Sequence, residues 1–301
     1  MQKACTSFRY RLFTSTIKSY KMNIKKNIIK AFIGGIAACL CMACGGSDSK
    51  DYWGDTSGGG DEEPTENPNA SKPRYIWIDA AANFPDFANS KENIARDLAL
   101  AKDAGFTDIV VDVRPTTGDV LFKTNHVDQV KFMYAWIGSN YTKVERTATW
   151  DYLQAFVDEA RKQGLRIHAA INTFVGGNQI DGGTGLLYRD QSKAAWATQM
   201  NMQTGITSVM NTSESAKFFN PAHPEVQTFL CNLLKDLASY DLDGIFLDRG
   251  RFLNLQADFS EESRKQFEAY MGGIKIQNYP DDILAPGASS LPATYPKSVS
   301  Y

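Results

Sequence analysis

Three times the chain repeats one unit: an amphipathic helix, a turn of a few residues, and an apolar strand. The first helix runs from a Ser90 cap through Lys102 with Ile94, Leu98 and Ala101 inward, ends at Gly105, and leads into the strand Asp108–Arg114, which Pro115 stops. The second starts at Thr149, carries Leu153, Phe156, Val157 and Ala160 on one face, closes at Gly164 and feeds the strand Leu165–Asn172. In the third, Pro224 suits a first helical turn because its missing N–H would have no partner there. Val226, Phe229, Leu230, Leu233, Leu234 and Leu237 then recur at three- and four-residue steps, one broad apolar stripe. After Tyr240 and Asp241 the run Gly244–Leu247 is too continuous for a half-exposed strand; it predicts a buried parallel strand ending on a carboxylate, Asp248. A strand over Arg74–Asp79 precedes the three units, and a helix over Ser260–Met271 follows them.

Alternating helices and strands make a parallel sheet with right-handed crossovers, either a closed barrel or an open doubly wound sheet. The helix-to-strand turns are minimal, whereas the strand-to-helix connections after Pro115 and Asn172 are long and rich in Gly, Asn and aromatic residues. Long connections gather at the C-terminal face of barrel strands. No glycine-rich phosphate turn follows the first strand, where Asp79-Ala80-Ala81-Ala82-Asn83 stands, which disfavours a dinucleotide fold. The expected class is α/β, a (β/α)8 TIM-barrel type spanning 73–301, with only about the first four units present. Closing such a barrel takes eight strands, so the reading is either a truncated version of a longer protein or a half-barrel that pairs with something else.

Ahead of that part, Lys25, Lys26 and Lys30 precede an apolar core over 31–40 that is shorter than the ~20 residues of a membrane span. Small residues around Cys44 follow. Residues 1–44 resemble a bacterial lipoprotein signal, with Met22 the better start and the Cys44 thiol the site of lipidation; an uncleaved anchor or ordinary signal peptide is the alternative. Residues 45–72 are Gly, Ser, Asp, Glu, Pro and Asn with almost no aliphatic side chains, the composition of a flexible tether. Four of the five cysteines lie in the first forty-four residues, leaving Cys231 without a disulfide partner in the folded part. A net charge of −2 gives no argument for nucleic acid.

Alternate strand residues share a face, so the strand ends collect Asp79 with Trp77, Asp112 with Arg114, Asn172 with His168 deeper, and Asp248 with Arg249 or Arg251 just beyond. Such a ring suits sugar chemistry: one carboxylate stabilises or attacks the anomeric carbon, another acid protonates the leaving oxygen, and Arg and Asn hold hydroxyls. Trp77, Tyr134, Trp136, Tyr188 and Trp196 offer flat faces for a pyranose ring. Each has a plainer alternative. Asp248 as a carboxylate bonded to backbone amides or to Arg114, Asp112 and Arg114 as a strand-end pair, His168 as a packed histidine, and the aromatics as core all remain open. A metal held by Asp112, His168 and Asp248 has no short ligand spacing behind it, so neither metal nor cofactor is expected.

The run Asn220-Pro-Ala-His-Pro-Glu-Val, the stretch Asp243–Asp248 followed by Arg251-Phe252, Val113-Arg114-Pro115, and Ile167-His168-Ala169 to Asn172 resemble the glycosyl hydrolase-like family ten proteins. Those are (β/α)-barrel proteins, often bacterial lipoproteins and more distantly similar to the α-amylase group. The resemblance covers about Arg74 to Pro280. It implies Asp248 as the active-site carboxylate, Arg114, His168, Asn172 and Arg251 around the cleft, and members that continue past Tyr301. A general acid on a later strand, as in the α-amylase group, has no position here. The resulting expectation is a glycoside hydrolase-like protein of the cell envelope, acting on extracytoplasmic glycan and touching membrane only through its lipid. The alternatives are a glycan-binding surface lipoprotein with a degenerate site, or an inactive fragment.

Overall fold

The structure, a computed structural model, describes residues 72–290. The signal region with Met22 and Cys44, and the tether up to residue 71, lie outside the described residues. Four strands, β1 (Tyr75–Ile78), β2 (Asp108–Arg114), β5 (Arg166–Asn172) and β10 (Gly244–Asp248), form one sheet in the order β1-β2-β5-β10, all parallel. The order follows the chain with no reversal. Three long helices bridge them: α2 (Lys91–Asp103), α3 (Tyr152–Lys162) and α5 (Pro224–Leu237), numbered after a short α1 (Phe84–Phe87) and around a short α4 (Leu186–Arg189). Among the described residues no helix is long and apolar enough to cross a membrane.

Local chemistry fixes where each unit starts and stops. The Ser90 hydroxyl accepts the Asn93 N–H at 3.1 Å, and Asp151 Oδ1 accepts the Gln154 N–H at 3.1 Å. That second cap starts α3 at Tyr152, three residues later than the apolar pattern around Thr149 suggests. Gly105 (φ +85°) and Gly164 (φ +63°) take the left-handed conformation past α2 and α3, and the next residues, Phe106 and Leu165, donate back to Ala101 and Ala160. Each helix thus ends in a turn so tight that the strand must lie back along it.

Ile78, Ile109, Val111, Val113, Ile167, Ala169 and Ile171 face the helices and share one core with Leu98, Phe156, Val226, Leu230 and Leu233. The opposite face carries Tyr75, Trp77, Val110, His168, Ala170 and Phe246. Here β10 departs from expectation: it is an edge strand, and only Ile245 and Leu247 pack on the core while Phe246 is 38% exposed. A continuous apolar run does not by itself distinguish a covered strand from an edge whose second face is aromatic. Rings from the two edge strands meet, Trp77–Phe246 at 5.7 Å and Tyr75–Phe246 at 5.9 Å between centroids. They reach across the two central strands, where Val110 and Ala170 are each 1% exposed.

The two long connections contain further strands. After β2 comes the hairpin β3 (Phe132–Ile137) and β4 (Asn140–Glu145). After β5 come β6 (Val175–Asn178), paired with β9 (Ala216–Phe218), and the hairpin β7 (Gln199–Met202) and β8 (Gly205–Ser208). Beyond β10, α6 (Glu261–Tyr270) starts from a Ser260 cap, and the chain then returns to β7, where Asn201 Nδ2 donates to the Leu284 carbonyl at 2.8 Å. Among the described residues no fifth strand joins the parallel sheet.

Candidate functional site

The parallel register carries four polar side chains to one end of the sheet. Asp248 pairs with Asn172 across β10 and β5, and Asp112 pairs with Ala170 across β2 and β5. Asp79 directly follows Ile78, whose partner is Val111, and so stands beside Asp112. These four residues line one cleft with Trp77, Ala81, Pro115, Thr116, Met133 and Arg249.

Their environments differ. Asp79 is exposed, and its Oδ1 accepts the N–H groups of Ala81 (2.8 Å) and Ala82 (2.7 Å), which pins the turn leaving β1. Asp248 is also exposed and accepts the Arg249 N–H at 2.7 Å. Arg249 adopts φ +46°, a conformation uncommon for a residue with a Cβ, and turns the chain sharply at the cleft edge. Asp112 is buried. Loss of solvation lifts its carboxyl to about 7; the negative charges of Asp79 and Asp248 push the same way, against the Arg114 N–H and guanidinium. Asn172 Nδ2 donates to the Arg114 carbonyl at 3.0 Å and reaches Asp112 Oδ2 at 3.5 Å, tying the middle of the rim to β2.

Three residues expected at the cleft stand elsewhere. The register of β2 slips between Asp112 and Arg114, and this bulge breaks the alternation that would keep their side chains together. Arg114 is fully buried behind the rim, its guanidinium donating to the carbonyls of Asn172, Thr173 and Val175 and lying 5.9 Å from the Phe219 ring. Burial lowers it to about 10, with Asp119 and Asp112 opposing, so it stays charged at neutral pH. It clamps the turn where β5 becomes β6. His168 pairs with Gly244, four register steps from the rim, and its Nε2 lies 2.8 Å from Asp108 Oδ1. Burial alone would raise Asp108, but Arg166, Thr107 and His168 outweigh it and hold the carboxyl near 2. Arg251 turns back onto its own loop, donating to the carbonyls of Phe252 (3.0 Å) and Leu253 (2.6 Å).

Of the aromatics, Trp77 lines the cleft and is 45% exposed. Trp196 is buried against Phe219 and Phe229 and donates to Glu225 at 2.8 Å, a core position. Tyr188 is half-buried beside Gly177 and Gly183. Tyr134 and Trp136 sit on the β3–β4 hairpin. Met133, from the same hairpin, is a cleft residue absent from the sequence reading; the aromatic run Phe132–Ile137, the turn residues Gly138 and Ser139 and the run Tyr141-Thr-Lys-Val mark the hairpin, but its return to the rim is a tertiary contact. Among the described residues no group of three or more His, Cys, Asp or Glu side chains is placed to hold a metal ion.

A family model described as Glycosyl hydrolase-like 10 matches residues 72–283. An S-layer-related protein of Niallia circulans is 32% identical over 217 residues, 69% of this chain; the chain spans 13% of that protein's length. Among solved structures, α-L-fucosidase isoenzyme 2 of Paenibacillus thiaminolyticus aligns over 66% of this chain and 26% of its own, at 18% identity and a TM-score of 0.43. A hypothetical protein of Ruminiclostridium thermocellum aligns over 66% and 89%, at 13% identity and a TM-score of 0.40.

Proposed function

From the premise that the chain belongs to the glycosyl hydrolase-like 10 family, we propose that it cleaves glycosidic bonds of an extracytoplasmic glycan at the Asp79–Asp112–Asn172–Asp248 rim. The observation that carries this reading is the contrast between two acids in one cleft. Asp112 is buried and keeps its proton to about pH 7, while Asp248 opens to solvent. A carboxyl group that keeps its proton, with a second carboxyl group open to solvent in the same cleft, is the pairing that glycoside hydrolysis uses. Asp112 gives its proton to the glycosidic oxygen as the C–O bond breaks. Asp248 stabilises or attacks the anomeric carbon, and water then completes the hemiacetal and returns a proton to Asp112. Asn172 and Arg249 hold hydroxyls, and Trp77 stacks on a ring. Asp112 on β2 thereby takes the role that the α-amylase likeness would give to a later strand.

The same proposal extends to architecture and place. Sequential parallel strands with helices on one face support an arc of a (β/α)8 barrel. The basic, apolar and small-residue pattern before Cys44 supports a lipid anchor on the bacterial envelope, and the S-layer-related relative's name agrees with a surface location.

The test is release of reducing ends from a panel of soluble and cell-wall polysaccharides by the parent, Asp248→Asn and Asp112→Asn. Turnover by the parent that drops about a hundredfold or more in both variants, with unfolding midpoints near pH 4 no lower than the parent's, is the expected result. Undiminished turnover by Asp248→Asn removes the mechanism. Glycan affinity without turnover in any form identifies a binding protein instead.

A further inference from the structure

We propose that the outer face of the β3–β4 hairpin is a second carbohydrate-binding surface, a stacking platform for pyranose rings of a polymeric glycan next to the cleft; it rests on the glycan reading above. The hairpin is two-sided. Met133 and Ala135 turn inward and are buried, with Val144 packed on the core, and Met133 forms part of the cleft wall. The other side presents Phe132, Tyr134 and Trp136 from β3 and Tyr141 and Lys143 from β4, paired across the strands as Trp136 with Tyr141 and Tyr134 with Lys143.

Trp136 is 68% and Tyr141 56% exposed. Their rings lie 5.3 Å apart, and Tyr134 stacks on Tyr141 at 5.3 Å with planes only 29° apart. A cross-strand aromatic pair steadies a hairpin by itself, but that role does not require both rings to face solvent on a strand whose opposite side is already anchored. The platform is also held in place. Asp181 accepts the Tyr134 hydroxyl at 2.8 Å and pairs with Lys143, whose ammonium lies 4.0 Å from the Phe132 ring centroid.

Ring chemistry decides the occupant. A pyranose has C–H groups on its faces and hydroxyls around its edge, so it fits a flat π surface bordered by polar groups, here the Tyr141 hydroxyl, Lys143 and Asp181. Trp and Tyr anchor protein interfaces as well; the polar border around these rings and the glycan reading of the cleft on the same hairpin favour the sugar. One hairpin therefore carries both surfaces: Met133 belongs to the cleft wall, and its neighbours Phe132 and Tyr134 belong to the platform on the other side.

The experiment is native affinity electrophoresis of the full chain through gels containing soluble starch, hydroxyethyl cellulose, laminarin, galactomannan or glycol chitin. Variants are Trp136→Ala with Tyr141→Ala, the same pair changed to Phe, and Asp248→Asn. The parent should be retarded by at least one polymer, the alanine pair should bind it about tenfold more weakly, and the phenylalanine pair should recover most of the affinity. Equal retardation of the parent and alanine pair, or no retardation of the parent by any polymer, overturns the platform. So does self-association of the parent that the alanine pair abolishes while its glycan affinity stays the same. Retained turnover in Asp248→Asn sinks only the catalytic reading. If the alanine pair fails to fold, Trp136→Ala against Trp136→Phe asks the same question.

Discussion

Replacing Asp112 by Asn tests the electrostatics of the cleft separately from any choice of substrate. The carboxyl titrates at about 7 in the folded protein and near 3.9 in an unfolded chain, a difference of about 3 units or about 4 kcal/mol. The sign follows from which state holds the proton. Between those values the folded protein keeps it and the unfolded chain does not, so stability falls as pH rises, by about 1.4 kcal/mol per unit. The contribution is complete below about pH 4 and gone above about pH 7. Asn cannot titrate, so the variant lacks this slope. Urea unfolding of parent and Asp112→Asn from pH 4 to 8 should show their stability difference moving by about 4 kcal/mol in favour of the variant as pH rises. Asp248→Asn removes one of the negative neighbours and should move the window to lower pH. A difference that stays constant within about 0.5 kcal/mol from pH 5 to 8 refutes the buried, protonated acid, and the proton-donor role falls with it.

Two further outcomes follow from packing. Arg114→Met strands the carbonyls of Asn172, Thr173 and Val175, and should cost on the order of 3–5 kcal/mol in urea unfolding; Arg114→Lys should recover only part, because one nitrogen on a shorter stem cannot replace two nitrogens of a planar fork. A loss under about 1 kcal/mol for the Met variant would mean that the clamp is not needed. A Cβ on Gly244 would come within 2.8 Å of His168 Nδ1, on a ring whose Nε2 is tied to Asp108. Gly244→Ala should therefore destabilise by roughly 1–3 kcal/mol, and by clearly less in a His168→Ala background, as a double-mutant cycle would measure.

The sequence alone determined the repeating unit, since caps, apolar stripes and terminal glycines act within a few residues of one another. Helices over 91–103 and 224–237 and the strands ending at Arg114, Asn172 and Asp248 were legible for that reason, as was the gathering of Asp79, Asp112, Asn172 and Asp248, because parallel register moves strand ends together. Tertiary structure alone decided the fate of Arg114, where one bulge overrides parity, and of Trp196, which meets core residues far away in the chain. It also decided the β6–β9 pair, which joins two ends of the second long connection. Val175-Gly-Gly-Asn is poor in strand formers, yet it pairs with β9 across a bulge at Gly176, where Phe219 and Leu187 leave no room for a Cβ. The weakened acidity of Asp112 belongs to the same class: it depends on burial and on carboxylates at the ends of two other strands, and no neighbour in sequence supplies either.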